Sequence, residues 1–343
     1  MARFLTLVLG AFAVPCISVV FGVAAYAKEE DSFFKGKQIN LRIGSAAGSG
    51  YDVTGRLIAS HYGKHIPGSP TFVVQNVPGA GGIALTNQLA QSAPKDGTMM
   101  AIVSNGMPTA PLLTPDRAKF DMSKFNWIGT NAPEAQIVMV NSTAPAQSLS
   151  DLFKMETIVG ATAPGTAVFD LPFVMNALMG TKFKIISGYD GTAQIDLAAQ
   201  RGEVHGLGAQ GWGSARIRNR PEIQAGKIKV IAQYGFKAHH ELPNVPLFEL
   251  PKGEIERQAI TLMFSRQEFG RPLVLPEGVP PERVALLRKS FQDTMKDKDF
   301  IAEAGRIGIE VNPVSGEELA ALNDVIMKTS PQAVEVLRKL LSH

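Results

Sequence analysis

A strand-like run that empties into a glycine-rich loop and then into a helical pattern occurs twice before residue 100, and this repeat narrows the possible folds more than any other feature. Gln38-Ile-Asn-Leu-Arg-Ile43 alternates polar and apolar residues as a half-buried strand does. It leads through GSAAGSGYD, residues 44–52, into Val53, Leu57, Ile58 and Tyr62 at helical spacing. Thr71-Phe-Val-Val74 then leads through VPGAGG, residues 77–82, into a helical stretch at 83–90. After the turn signal Asp96-Gly97, residues 99–103 read as another buried strand. Strands joined through helices run parallel, so the pattern predicts a doubly wound, parallel α/β sheet. A second series follows, with strands expected at 136–140, 157–159, 184–186, 204–207 and 228–231 and helices at 169–179 and 192–201. Two amphipathic patterns, 281–296 and 316–341, close the chain and are expected to cover the first unit with their apolar stripes.

With 343 residues, the chain is long enough for two domains. The formal net charge of +3, with both signs interspersed, leaves no nucleic-acid footprint. Arg3 followed by an uncharged, mostly apolar run to residue 27 reads as a signal peptide, and Ala25-Tyr26-Ala27 places cleavage after Ala27. The run is long enough to span a bilayer, but Pro15, Ser18 and the Ala-x-Ala ending favour cleavage. Cys16, the single cysteine, lies inside it, and Ala13 and Pro15 stand where a lipidation site needs leucine and a small residue. The exported chain would have no cysteine, so disulfides play no part in its stability.

In open α/β sheets ligands bind beyond the carboxyl ends of the strands, and both glycine loops occupy that place. Amides exposed at a helix start, together with the positive end of the helix dipole, attract an anion without any basic side chain. Other motif-like strings fall short. Residues 160–166, GATAPGT, have P-loop glycine spacing but no lysine before the threonine. Residues 206–211, GLGAQG, match G-x-G-x-x-G but lack the acidic residue a dinucleotide site needs, and Pro221 interrupts the next helix. His61 and His65 have metal-compatible spacing, yet no third ligand is near in sequence and an exposed helix face is expected. Acids and histidines are scattered, so no catalytic residue, metal or cofactor is expected.

The succession GSAAGSGYD, VVQNVPGAGG and APKDGTMMAI, followed by ISGYDGTAQIDLAAQRGEVHGL, LPNVPLFEL and LPEGVPPERVALLRKSF, resembles the periplasmic solute-binding proteins of tripartite tricarboxylate transporters, often called the Bug family. The likeness covers nearly all of the chain after the leader, with PGAGG its most specific piece. It implies a two-domain Venus-flytrap fold, periplasmic binding protein-like, each domain a mainly parallel sheet flanked by helices. The expected segments are a signal peptide at 1–27, domain 1 at 28–135, domain 2 at 136–236 and a return to domain 1 at 237–343. The resemblance implies capture of a small carboxylated solute by a monomer that delivers it to transporter membrane subunits in the periplasm. Carried over position by position, Ala47, Gly48, Ser49 and Asp52 match the first loop, and Pro78, Gly79, Ala80, Gly81 and Gly82 the second. Ser104 and Asn105 end the next strand. Gly165, Thr166 and Ala167 open a helix of the second domain, and Tyr189, Gly191, Thr192 and Asp196 follow.

The sequence departs from the family pattern at Tyr51, where a small hydroxyl residue is common, so that this ring narrows or floors the pocket. Asp190 replaces a lysine, Phe169-Asp170 replaces a frequent x-His, and residues 252–275 form a longer, more polar connection than usual. Asp52 and Asp196 suit helix capping or ion pairing as well as ligand contact, Tyr189 suits packing as well, and Trp212 reads as core or interface filler. Two further readings stay open on sequence alone: a binding module that feeds a sensor kinase, and an exported enzyme using the cleft, for which no nucleophile is apparent.

Overall fold

The computed structural model describes residues 33–342, so the expected leader and its cleavage site lie outside the described residues. Among them are eleven strands: β1 (Gln38–Ile43), β2 (Thr71–Asn76), β3 (Met99–Ile102), β4 (Asn126–Thr130), β5 (Gln136–Asn141), β6 (Thr157–Gly160), β7 (Phe183–Ile186), β8 (Gly206–Gly211), β9 (Ile228–Gln233), β10 (Leu273–Leu275) and β11 (Val314–Ser315). The helices are α1 (Gly50–Tyr62), α2 (Ile83–Ser92), α3 (Ala110–Leu113), α4 (Ala167–Met179), α5 (Thr192–Gln200), α6 (Trp212–Arg218), α7 (Arg220–Gln224), α8 (Glu254–Phe269), α9 (Pro281–Met295), α10 (Lys298–Ile307), α11 (Gly316–Met327) and α12 (Pro331–Leu341). Two sheets result, with strand orders β11-β4-β10-β3-β1-β2 and β7-β6-β8-β5-β9.

Neither sheet is wholly parallel, which corrects the doubly wound parallel expectation. β1 pairs in parallel with β2 and β3, and β6 with β7 and β8. In contrast, β10 and β11 oppose their neighbours, and β5 opposes β8 and β9. Of these three exceptions, β5 and β10 are the first strands laid down after the chain passes from one sheet to the other, and β11 is a two-residue edge strand. Most strands still share one direction within each sheet.

Local chemistry explains the remaining shifts. β8 spans Gly206–Gly211 rather than 204–207, because a strand of glycine and alanine lacks the β-branched signal that marks strands in sequence. The amphipathic stretch 316–341 breaks into α11 and α12, with Ser330 accepting from Ala333 N–H and Pro331 opening the second helix. Residues 252–275 are mostly helix, since α8 buries Ile260, Met263, Phe264 and Phe269 and leads directly into β10.

Alternation in β1 buries Ile39, Leu41 and Ile43 against Leu57, Ile58 and Tyr62 of α1 and Leu287 and Phe291 of α9. A second apolar cluster is continuous across both sheets, joining Leu85 and Leu89, Val138 and Val140, Val174, Phe264 and Leu337. α9 and α11 cover β4 as expected of the C-terminal region, and α12 packs on α8 and also reaches α4 of the second unit. Where the chain crosses between sheets it is fastened. Gln267 O accepts from Glu134 N–H at 2.8 Å, Gln267 Oε1 accepts from Gln136 N–H at 2.8 Å, and Arg271 N–H donates to Thr130 Oγ1 at 3.0 Å. Gly270 stands at φ +55° here, and any side chain on it would overlap the Ala132 carbonyl.

His61 and His65 are not on an exposed face. His61 is buried and pairs with Glu303 at 2.8 Å, while His65 pairs with Asp297 at 2.8 Å. Helices α1 and α10 pack together, and that placement turns the histidine spacing into an interhelix latch. Hydrogen bonds from Lys64 and His65 hold the Asp297 carboxyl well below the usual carboxylate range, and Asp297 also caps α10.

Two outcomes follow for stability. Gly270→Ala should lower unfolding free energy by roughly 2–3 kcal/mol in urea titrations, through overlap at a positive-φ position; a loss below about 0.5 kcal/mol would contradict the packing described. Asp297→Asn keeps the cap but drops the charge. Because the folded value lies below the unfolded 3.8, the ion-pair stabilisation is present above that pH and fades as pH falls through the folded value. The variant should melt about 1–3 °C below the parent near neutrality, and the gap should narrow toward roughly pH 3. A gap equally wide at both pH values would rule the charge out as its source.

Candidate functional site

Loops of one design open α1 and α4. In the first, Ser45 Oγ and Ser49 Oγ lie 2.7 Å apart, Gly48 stands at φ +78°, and its N–H donates to Asp52 Oδ2 at 2.8 Å. In the second, Thr162 Oγ1 and Thr166 Oγ1 lie 2.8 Å apart, Gly165 stands at φ +89°, and its N–H donates to Asp170 Oδ1 at 2.9 Å. Each buried aspartate thus clamps the glycine that precedes its own helix. Burial pushes the Asp52 carboxyl up, but the Gly48 amide, Asn76 and Arg56 outweigh it and keep it below its ordinary value.

The PGAGG loop works differently. Gly79, Ala80, Gly81 and Gly82 all have positive φ, and α2 begins without a side-chain cap. At Gly81, with φ +65°, a side chain would meet nothing within 4 Å, so packing does not require glycine there. α4, α5 and α6 also start without side-chain caps. First-turn amides have no acceptor inside their own helix. The Ile83 N–H of α2 goes to Ala80 O and the Trp212 N–H of α6 to Ala135 O, whereas the Ala167 and Thr192 N–H groups that open α4 and α5 have no backbone acceptor among the described residues.

They converge. A cavity of about 320 Å³ between the sheets is lined by Gly50, Tyr51, Gly81, Ser104, Asn105 and Gly106 on the first side and by Thr166, Ala167, Thr192, Gln210, Gly211 and Ser214 on the second. Of the residues singled out in sequence, Tyr51, Gly81, Ser104, Asn105, Gly165, Thr166, Ala167 and Thr192 reach it. Thr166 spends its hydroxyl on Ala163 O at 2.8 Å. Gly48 lines an adjoining cavity of about 270 Å³, and Ala80 another of about 330 Å³. Ala47, Ser49, Asp52, Gly79 and Gly82 do not line this cavity, and Asp52 and Ser49 are engaged within their own loop. Tyr189 packs against an apolar cluster of the second sheet, and Asp196 pairs with Arg218 at 2.5 Å. Asp190 is exposed and bonded to Gln194, not turned inward. Trp212 is buried, with its ring N–H donating to Glu241.

Tyr51 does floor the pocket. Its hydroxyl accepts from Asn105 N–H at 3.2 Å and donates to Gly270 O at 3.4 Å, and burial raises its pKa. The sequence reading missed Glu134, Arg266, Gln267 and Arg271, which line the cavity from the crossing segments. Arg271 pairs with Glu134, and Arg266 lies 3.5 Å from Asp170, with burial pulling the Arg266 guanidinium below its ordinary value. The available signal was Arg266-Gln267 set between Phe264 and Phe269, polar residues on a helix that otherwise buries its face.

A second concavity, about 620 Å³, is lined by Arg216, Arg220 and Arg306 beside Glu241, and by the carboxyl-terminal turns of α6 and α10, where the helix dipole is negative. Arg216 is paired with Glu241 at 2.7 Å and Arg306 with Glu303 at 3.6 Å. Among the described residues, His239, His240 and Glu310 form a group with metal-ligand potential that linear sequence did not bring together. His239 Nδ1 accepts from Glu241 N–H at 3.2 Å, so the ring proton sits on Nε2, 3.0 Å from Glu310. A metal would have to displace that proton, and the group serves as a hydrogen-bonded contact between the segment after β9 and the segment after α10. No helix among the described residues is long and apolar enough to cross a membrane.

The chain is 27% identical over 335 residues to the UPF0065 protein in gbd 5'region of Cupriavidus necator, covering 93% of this chain and 94% of that one. Its fold matches a TctC solute binding protein from Polaromonas with TM-score 0.64 at 20% identity, covering 89% and 98% of the two chains. A protein of R. palustris solved with adipate matches with TM-score 0.64 at 19% identity, over 89% and 97%. At these identities the structures speak for the fold, that of two-domain periplasmic binding proteins. The model of the tripartite tricarboxylate transporter family receptor matches residues 56–338, and the chain belongs to that family.

Proposed function

We propose that the protein is a periplasmic receptor that captures a small organic carboxylate between two lobes and delivers it to the membrane subunits of a tripartite transporter. The observation that carries this reading is the set of uncapped helix starts, from both sheets, around one cavity. A carboxylate accepts several N–H bonds at once, and such charge-assisted bonds are roughly twice as strong as neutral ones. The arginines do not supply a net positive charge, because Glu134 and Asp170 stand beside them. The partial charge of the helix starts is therefore what favours an anion. Membership of the receptor family and the adipate held by the R. palustris neighbour support the same class of solute.

In this proposal the lobes are residues 28–135 with 237–343, and residues 136–236. The leader is removed after Ala27, the receptor acts as a monomer without metal or cofactor, and its task is binding rather than catalysis. The contacts are to backbone at Tyr51, Gly81, Ala167 and Thr192, with Ser104 and Asn105 beside them. Ala47, Gly48, Ser49 and Asp52 shape the first helix start, Gly79, Ala80 and Gly82 set the backbone of the second, and Tyr189 and Asp196 support the far wall.

Gly81→Leu separates site from scaffold. Space around Gly81 is open, so the cost to folding is the positive φ alone, about 1–2 kcal/mol. The side chain should fill the place of the solute oxygens. In thermal-shift and calorimetric titrations with a panel of carboxylates, the parent should be stabilised by the bound acid and the folded variant should not. Equal binding by a folded Gly81→Leu would remove the helix start of α2 from the site.

A further inference from the structure

The segment that follows α10 joins the two sheets without passing between them. Gly308 closes α10 at φ +76°, and its carbonyl accepts from Arg216 Nη2 of α6 at 3.1 Å. Two residues on, Glu310 accepts from His239 Nε2 at 3.0 Å. Asn131 holds this segment to the first sheet, since its Nδ2 donates to Glu310 O at 2.9 Å and its O accepts from Asn312 N–H at 2.8 Å. Strand β11 then returns the chain to β4. On the other side, residues 239–242 stay with the second sheet after β9 ends. Gln233 binds His239 N–H at 2.9 Å and Leu242 O at 3.0 Å, and the Glu241 carboxylate accepts from Trp212 and Arg216 of α6.

This join differs in kind from the one made by α12, α4 and α8, which is buried hydrocarbon. Here Ile217 and Ile307 remain 48% and 36% exposed. Concavities of about 620 and 270 Å³ both have Ile217 and Gly308 in their walls, so the contact between them is thin. The smaller concavity shares Gly50, Glu134, Ser214 and Arg271 with the cavity between the sheets, which puts the join on one flank of that cavity. Parting it exposes little fresh apolar surface and loses a few hydrogen bonds that water can replace. A contact of that kind can open while the rest of a protein stays folded.

We propose that residues 308–312 form a clasp that holds the lobes in the orientation seen here before any solute arrives, and that its release is the step that widens the cleft. Arg216, His239 and Glu310 fasten it. Loss of two ordinary hydrogen bonds shifts a two-state equilibrium by roughly tenfold or more, so the fastening sets the resting population and still yields. The clasp takes the two lobes as proposed above and is independent of which solute they hold.

The test is small-angle scattering on the full exported chain without solute. A Cβ at Gly308 lies 3.8 Å from Ile217 Cβ, the separation found in disulfides. Ile217→Cys with Gly308→Cys, in a Cys16→Ser background, should therefore oxidise to a bridge and keep the radius of gyration of the parent. Arg216→Ala with Glu310→Ala should raise that radius by about 0.5–1 Å on the roughly 20 Å expected for a compact chain of this size, with circular dichroism confirming the fold. Should that pair fail to fold, Glu310→Ala alone is measured and should shift in the same direction. Absence of a bridge in the folded cysteine pair, a bridged form more compact than the parent, or folded alanine variants with the radius of the parent would each overturn the clasp. Because no solute enters the measurement, failure of the carboxylate reading leaves these outcomes intact.

Discussion

The opening amides of a helix have no acceptor within that helix, and a fold must satisfy them with a cap, with water or with a ligand. In this chain α1 is capped by Ser49, whereas α2, α4, α5 and α6 are not capped by side chains and begin at one cavity. The loops before α1 and α4 repeat one arrangement, a hydroxyl pair, a glycine at positive φ and a buried aspartate that binds the glycine amide. Aspartate in these loops therefore organises backbone. An anion-binding wall assembled from main chain tolerates different side chains around it, which leaves solute preference to the residues that intrude.

Those residues come from the places where the chain crosses between sheets. Gln267 binds two amides of the outgoing segment, and Tyr51, Gly270 and Arg271 meet just beside it. Because the cavity floor and the crossing segments share these contacts, a solute that touches the floor and both walls interacts differently with different lobe orientations. Such differential contact is what a ligand needs to shift a conformational equilibrium. One apolar cluster runs unbroken from α2 through β5 to α8 and α12.

Much of this was legible in sequence. Alternation alone located β1 residue for residue, and the glycine loops pointed to the carboxyl ends of the strands because glycine at those positions has few other uses. Gly81 was reached in that way, whereas Ser104, Asn105, Thr166, Ala167 and Thr192 came from the resemblance to the receptor family. What escaped was whatever depends on partners remote in sequence. His61 meets Glu303, 242 residues away, and Glu134 meets Arg271 through two crossings of the chain. β10 and β11 span only three and two residues, and β4 reads NWIGT without alternation, so none carries a strand pattern of its own. β8 was expected at 204–207 instead of Gly206–Gly211, because close packing against β5 and α4 selects glycine and alanine there and removes the β-branched signal.

The most direct measurement is an amide-resolved NMR titration of the full exported chain with a carboxylate that stabilises it. If the anion sits among helix starts of both lobes, the N–H signals of Tyr51, Gly81, Ala167 and Thr192 should shift together, with one saturation curve. Shifts confined to one lobe, or centred on the α6 and α10 ends around Arg216 and Gly308 with these four unmoved, would contradict a solute held between the sheets by backbone donors.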